Sequence, residues 1–234
     1  MERLLGTEWY NQLHFIVSNG LLSSTAQKVN NERLNNNIIP PKGSLLMFRA
    51  FRETPFSKVK VIILGNEPSY MYENGIPTYD GLAFSGAASY FPSQTLDIIL
   101  DEVELECYEG FSLNRKTKYD LLSWAEQGVL LLNTTHTVSE NKDNSHLNIW
   151  KPFTEHVIKL LNKKHGIVWM LWGEKAIKYQ NLITNTTHAK ICTSYPSFKS
   201  KNTSLNNYPA FKNSNCFLKV NEELDARNIS KIMW

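Results

Sequence analysis

The 234-residue chain has little of several things, and each shortage removes a class of protein. Its three cysteines, Cys107, Cys192 and Cys216, show no paired metal-ligand spacing, and an odd number cannot form a disulfide framework. A reduced, intracellular compartment is expected. No apolar run reaches the ~18 residues that a membrane span needs. The opening "MERLLGTEWYNQL" has acidic and polar breaks where a secretory leader carries its apolar stretch. Charge of one sign is scarce too: 25 Lys and Arg against 22 Asp and Glu leave +3, which permits a nucleic-acid partner without demanding one. Internal repeats and linkers are missing, so a single domain over residues 1–234 is expected.

What is present is core material. A hydrophobic content of 42% and six Trp argue for a packed interior and against disorder. Leu5, Trp9, Leu13 and Ile16 fall at helical steps of three and four, giving a helical N-terminal region over 1–36. "NNERLNNNIIPP" reads as a polar loop, and "SLLMFRAF" as a short helix. Three near-continuous apolar runs follow, "VKVIILG" (59–65), "GVLLLN" (128–133) and "GIVWMLWG" (166–173), with a fourth strand at "HAKICTSYP". Such runs suit strands buried on both faces. The helical patterns "SQTLDIILDEVELE", "YDLLSWAEQ" and "WKPFTEHVIKLLNKK" alternate with them. Strand and helix in alternation predict an α/β domain with a parallel sheet.

Polar residues gather where these strands end. "LGNEPSY" places Asn66, Glu67, Ser69 and Tyr70 after the first, Asn133 closes the second, and Tyr195 follows the fourth. Ligands of open α/β sheets bind beyond the carboxyl ends of the strands, so one edge collects the chemistry.

On these segments the chain resembles the family 1 uracil-DNA glycosylases. The resemblance rests on "PPKGSLLMFRAF", "VKVIILG", "GLAFSG", "WAEQGVLLLNTTHTVSENKDNSH", Trp150, "VWMLWG" and "NSNCFLKVNEEL", and it is weak over residues 1–38. It implies a central four-stranded parallel sheet flanked by helices. It also implies a monofunctional DNA N-glycosylase without cofactor or metal, which flips a base out of DNA and hydrolyses its N-glycosidic bond. Asn133 matches the residue that reads the base edge; an amide offers uracil's O4 and N3–H a donor and an acceptor together. Phe84 matches the stacking ring. A lone Phe is more often core, and an Asn at a strand end more often a turn residue.

Departures from the family pattern carry the specificity question. The usual Gly-Gln-Asp-Pro-Tyr-His loop here reads Gly65-Asn66-Glu67-Pro68-Ser69-Tyr70. Glu67 takes the place of the water-activating aspartate with one more methylene, and Asn66 stands beside it to position water or base. Ser69 replaces the tyrosine that excludes thymine's methyl, leaving room at C5 that a substituent or Tyr70 would fill. A uracil-type base substituted at C5, thymine or 5-hydroxymethyluracil, is therefore expected, with a plain turn serine as the simpler reading. Tyr195 stands where the family has a histidine on the base's O2, and a phenol can also donate there.

The DNA-facing positions are less fixed. "FPSQ" resembles the Pro-Ser loop that grips the strand, so Pro92 and Ser93 are candidates, although Ser93 also suits a helix cap. In "SYPSFKSK", Ser197 and Lys199 (with Lys201) are candidate phosphate contacts, Phe198 the candidate wedge and Leu205 the runner-up. No lysine falls among the matched site positions, which speaks against a lyase route. His136 and His146 lack metal spacing, and Trp169 and Trp172 read as core. The expected partner is DNA, with a proteinaceous glycosylase inhibitor as a further one; the protein is read as a monomer, away from membranes, in the cytoplasm of a bacterial or virus-infected cell. The competing class is a glycosylase fold impaired in chemistry, serving as a DNA-binding subunit or inhibitor decoy.

Overall fold

A five-residue run that is apolar throughout can be buried only where both of its faces are covered. The computed structural model, which describes residues 1–86, 93–111 and 119–234, places such runs at its centre. The strands in chain order are β1 (Ile38–Ile39), β2 (Val61–Gly65), β3 (Tyr72–Glu73), β4 (Ile76–Pro77), β5 (Val129–Asn133), β6 (Val138–Ser139), β7 (Val168–Trp172) and β8 (Ala189–Thr193). The central sheet has four strands in the order β5-β2-β7-β8, all parallel. Every residue of β2, β5 and β7 is buried, whereas β8, at an edge, is half-exposed along most of its length.

Helices wrap this sheet: α1 (Glu2–Leu5), α2 (Thr7–Gln12), α3 (His14–Ser18), α4 (Leu21–Glu32), α5 (Arg49–Glu53), α6 (Gln94–Cys107), α7 (Leu122–Glu126), α8 (Leu147–Leu161), α9 (Gly173–Ile177) and α10 (Cys216–Asp225). Parallel order and flanking helices are as the alternating pattern predicts.

Local outcomes differ from the sequence reading in two places. The N-terminal region is four helices: Gly6 and Gly20, at φ +80, break the rod at two points, and Leu13, at φ −93 and ψ 9, interrupts it at the third. Leu5, Trp9, Leu13 and Ile16 are nonetheless all buried. α4 continues to Glu32, so the first part of the stretch read as polar loop is helical, and Ile38–Ile39 pairs with Val138–Ser139. Between β2 and α6, β3 and β4 form a hairpin whose two turn residues, Asn74 and Gly75, both have positive φ. Asn-Gly is the dipeptide such a turn favours, since both central residues must turn left-handed.

Candidate active site

Parallel register sets the first two functional groups side by side. Gly65, the last residue of β2, pairs with Asn133, the last of β5. Beyond them the two chains remain stitched together: Thr134 N donates to Gly65 O at 2.9 Å, and Thr135 N and Thr134 Oγ1 donate to Asn66 O at 3.0 and 2.7 Å. Asn66 and Glu67 are thereby fixed beside Asn133. Gly65 must lack a side chain, because a Cβ there would overlap Asn133 Oδ1 and lie 2.8 Å from Ala83 Cβ.

Phe84 arrives from the segment after the hairpin. Its φ of +67 is a conformation that bulky residues avoid. The ring centroid lies 5.2 Å from that of Trp172 and 6.2 Å from that of Tyr195. Tyr195 in turn packs onto Gly173, the first residue of α9: a Cβ at 173 would lie 2.8 Å from the Tyr195 Cβ. Glu67, Ser69, Phe84, Asn133, Lys175 and Tyr195 line one cavity of about 660 Å³ at the carboxyl ends of the strands.

The electrostatics separate an acid from a neutral donor. Burial pushes the Glu67 carboxyl up from its usual range; the Asn144 N–H, donating to Oε2 at 2.8 Å, and the Lys175 charge pull back against it, and Asp143 adds to the rise. Tyr195 is pushed up to about 12 by burial and by the Glu67 charge, against a side-chain hydrogen bond with Thr95 that lowers it. It remains a protonated donor at any physiological pH. Asn66 Oδ1 is buried without a hydrogen-bond partner among the described residues, and Asn66 lines the cavity. Asn133 interacts with the buried Tyr79 phenol, which burial and then Asp80 push well above its ordinary value.

Ser69 and Tyr70 both line the cavity, in different ways. Ser69 Oγ lies 3.0 Å from Thr78 Oγ1 and accepts from Met71 N at 3.2 Å, so it closes a small turn at the base of the hairpin. Tyr70 packs beside Ile39, Tyr79 and Val138, and hydrogen bonding to the Asp143 carboxylate pushes its phenol up.

The DNA-facing candidates lie at the rim. Ser93 lines the cavity and also caps α6, accepting from Leu96 N at 3.1 Å; Pro92 lies outside the described residues. The segment after Tyr195 is a tight, internally bonded loop: Ser197 N donates to Tyr195 O at 2.8 Å and Ser197 Oγ meets Ser200 Oγ at 2.6 Å. At its tip Phe198 is 68% exposed, with Lys201 Nζ 5.8 Å over its ring, and Lys199 is exposed beside it. Leu205 instead packs against the core, which removes it as a free wedge.

Sequence reading missed Lys175, Asp143 and Tyr79 as lining residues. A lysine does therefore reach the cavity, from α9, where no motif flags it. His136 lies among Phe48, Phe51, Trp150 and Phe153 with Nδ1 3.1 Å from Met47 O, and burial lowers it to about 4. His146 is bonded to Thr137 Oγ1 at 2.6 Å and Ser139 Oγ at 3.2 Å, tying α8 to β6. Both are structural. No group of three or more His, Cys, Asp or Glu that could hold a metal exists among the described residues.

The chain is similar to known proteins along most of its length. The uracil DNA glycosylase superfamily pattern matches residues 51–225. The uracil-DNA glycosylase of Streptococcus thermophilus is 36% identical over 228 residues, 97% of each chain, and that of Streptococcus mutans is 34% identical over the same share. The crystal structure of mimivirus uracil-DNA glycosylase superposes with a TM-score of 0.88 at 25% identity, over 99% of this chain and 87% of that one. A mimivirus variant solved in complex with UGI superposes at 0.90, also at 25% identity, over 100% of this chain and 90% of that one. With that pattern spanning residues 51–225 and relatives 34–36% identical over 97% of its length, the chain belongs to the uracil-DNA glycosylase superfamily.

Proposed function

We propose that this chain is a DNA glycosylase that hydrolyses the N-glycosidic bond of a flipped, uracil-type base and leaves an abasic site. The carrying observation is the convergence of Glu67, Phe84, Asn133 and Tyr195 on one cavity. Phe84 stacks on the base, and the Asn133 amide reads its O4 and N3–H edge. Glu67 takes the proton of the attacking water as oxygen bonds to C1′, and its charge favours the cationic sugar. The bond electrons leave with the base, and Tyr195 donates to O2 where that negative charge gathers. Asn66 Oδ1, buried and unpartnered among the described residues, suits the second contact of that water. Ser93, Ser197 and Lys199 meet phosphates, and Phe198 fills the gap left by the base.

The finer reading is that uracils substituted at C5 are accepted. Ser69 and Thr78 present small hydroxyl side chains to the cavity where a ring would otherwise restrict it. DNA is the partner, with a proteinaceous inhibitor as a second, and the chain acts as a single-domain monomer. No helix among the described residues is long and apolar enough to cross a membrane.

Oligonucleotides carrying uracil, thymine, 5-hydroxymethyluracil or cytosine test the reaction and its base preference, scored by alkali-labile breaks. Cleavage at uracil and at a C5-substituted uracil, with cytosine untouched, is expected. DNA binding without breaks at any base would instead favour a binding subunit or decoy.

A further inference from the structure

Glu67 is one methylene longer than the aspartate of the family pattern, so something must bring its carboxylate to a defined place. Three contacts do so. Asn144 N donates to Glu67 Oε2 at 2.8 Å. Asn144 itself holds a left-handed φ of +61, which aims that N–H out of the loop before α8. Lys175 Nζ, from the first turn of α9, donates to Asn144 Oδ1. Lys175 and Glu67 line the same cavity.

We propose that Lys175 is a positioning residue for the reaction: through Asn144 it clamps the loop whose backbone N–H holds the Glu67 carboxylate in place for water activation. The inference rests on the glycosylase reading of the site. Chemically, the clamp fixes one carboxylate oxygen as an acceptor and leaves the other, Oε1, to face the water. It also sets a cation within reach of Glu67, which favours the ionised base against the effect of burial. The other groups facing Glu67 are Asp143, from the same loop, and the phenols of Tyr70 and Tyr195. Asp143 opposes ionisation, and the two phenols are neutral, so Lys175 is the cation whose charge counters the burial of Glu67. A 1 Å misplacement of a catalytic group costs ~100-fold in rate. Removing the clamp is accordingly expected to lower kcat by about tenfold to a hundredfold.

Lys175→Met tests this, with Lys175→Arg as the conservative partner. Single-turnover excision of uracil from an oligonucleotide is followed across pH, and the Glu67 carboxyl is titrated by carbon NMR in parent and variant. Loss in kcat with KM held, an acid limb moved to higher pH, a Glu67 titration moved the same way, and substantial recovery in Lys175→Arg are expected. A variant with the parent's kcat and pH profile overturns the clamp while leaving the glycosylase reading intact. A parent that excises nothing overturns that reading instead. The NMR titration then decides the clamp alone: an unmoved Glu67 refutes it.

Discussion

Asn133 lies directly across the sheet from Gly65, with its Oδ1 resting where a Cβ at position 65 would be. The amide proposed to read the base thus occupies space left by the absence of a neighbouring side chain. Gly65→Ala is expected to displace Asn133 and Ala83 together. Overpacking of this kind costs ~1–3 kcal/mol. The loss of uracil excision should exceed the loss of stability, because the added methyl strikes the amide itself. Single-turnover rates set against thermal melting check this, and a variant with full activity would free Asn133 from its assigned role.

Glu67 is expected to set the pH dependence of the proposed reaction. Folding raises its pKa above the usual 4.5, mainly by burial. The acid limb of excision should therefore lie at higher pH than an ordinary carboxylate would place it. Stability follows the opposite course: it is fullest below the unfolded value and declines as pH rises through the folded one. Glu67→Gln should abolish most excision with DNA binding retained, and its melting temperature relative to the parent should rise between pH 4 and pH 8. Tyr195, at about 12, should contribute no alkaline limb near neutrality. A rate profile flat through the acid range would remove Glu67 from water activation.

Ser69→Tyr should narrow the cavity. A fitted site loses ~1–3 kcal/mol to overpacking, which corresponds to about 5–150-fold in rate. The loss should fall on a C5-substituted uracil far more than on uracil. Equal losses on both bases would point to disruption of the Ser69–Thr78 turn and not to a wall beside C5.

Phe198→Ala should affect duplex DNA more than single strands. Extruding a base from the stack costs a few kcal/mol, and an apolar side chain in the gap offsets part of it. About a tenfold loss on duplex with little change on single strands is expected. The same variant should melt like the parent, since the ring is 68% exposed.

The sheet was legible because β2, β5 and β7 are apolar at nearly every position, a pattern dictated by burial on both faces. Glu67, Phe84, Asn133 and Tyr195 were legible because each lies at or near a strand's carboxyl end or in a family motif. Lys175 was not. Its partner, Asn144, is 31 residues away, and only the course of the loop before α8 brings the two together. Tyr79 was hidden for the same reason, its relation to Asn133 being set by how the chain returns from the hairpin. The hairpin did have a signal, Asn74-Gly75, but its strands of two residues are too short to show alternation.

Phe84 occupies a confining position. Its left-handed φ of +67 is easily adopted by glycine or asparagine, which have no ring to stack, while residues with a ring resist that backbone. Any single replacement satisfies one demand and forfeits the other. An aromatic replacement must accept the same backbone cost of ~1–3 kcal/mol, and a glycine would relieve it at the expense of the stacking surface. Directed evolution of this protein for altered bases should therefore find few solutions at position 84, and should move through the loop just after Pro68, residues 69–72, where no residue holds a left-handed φ.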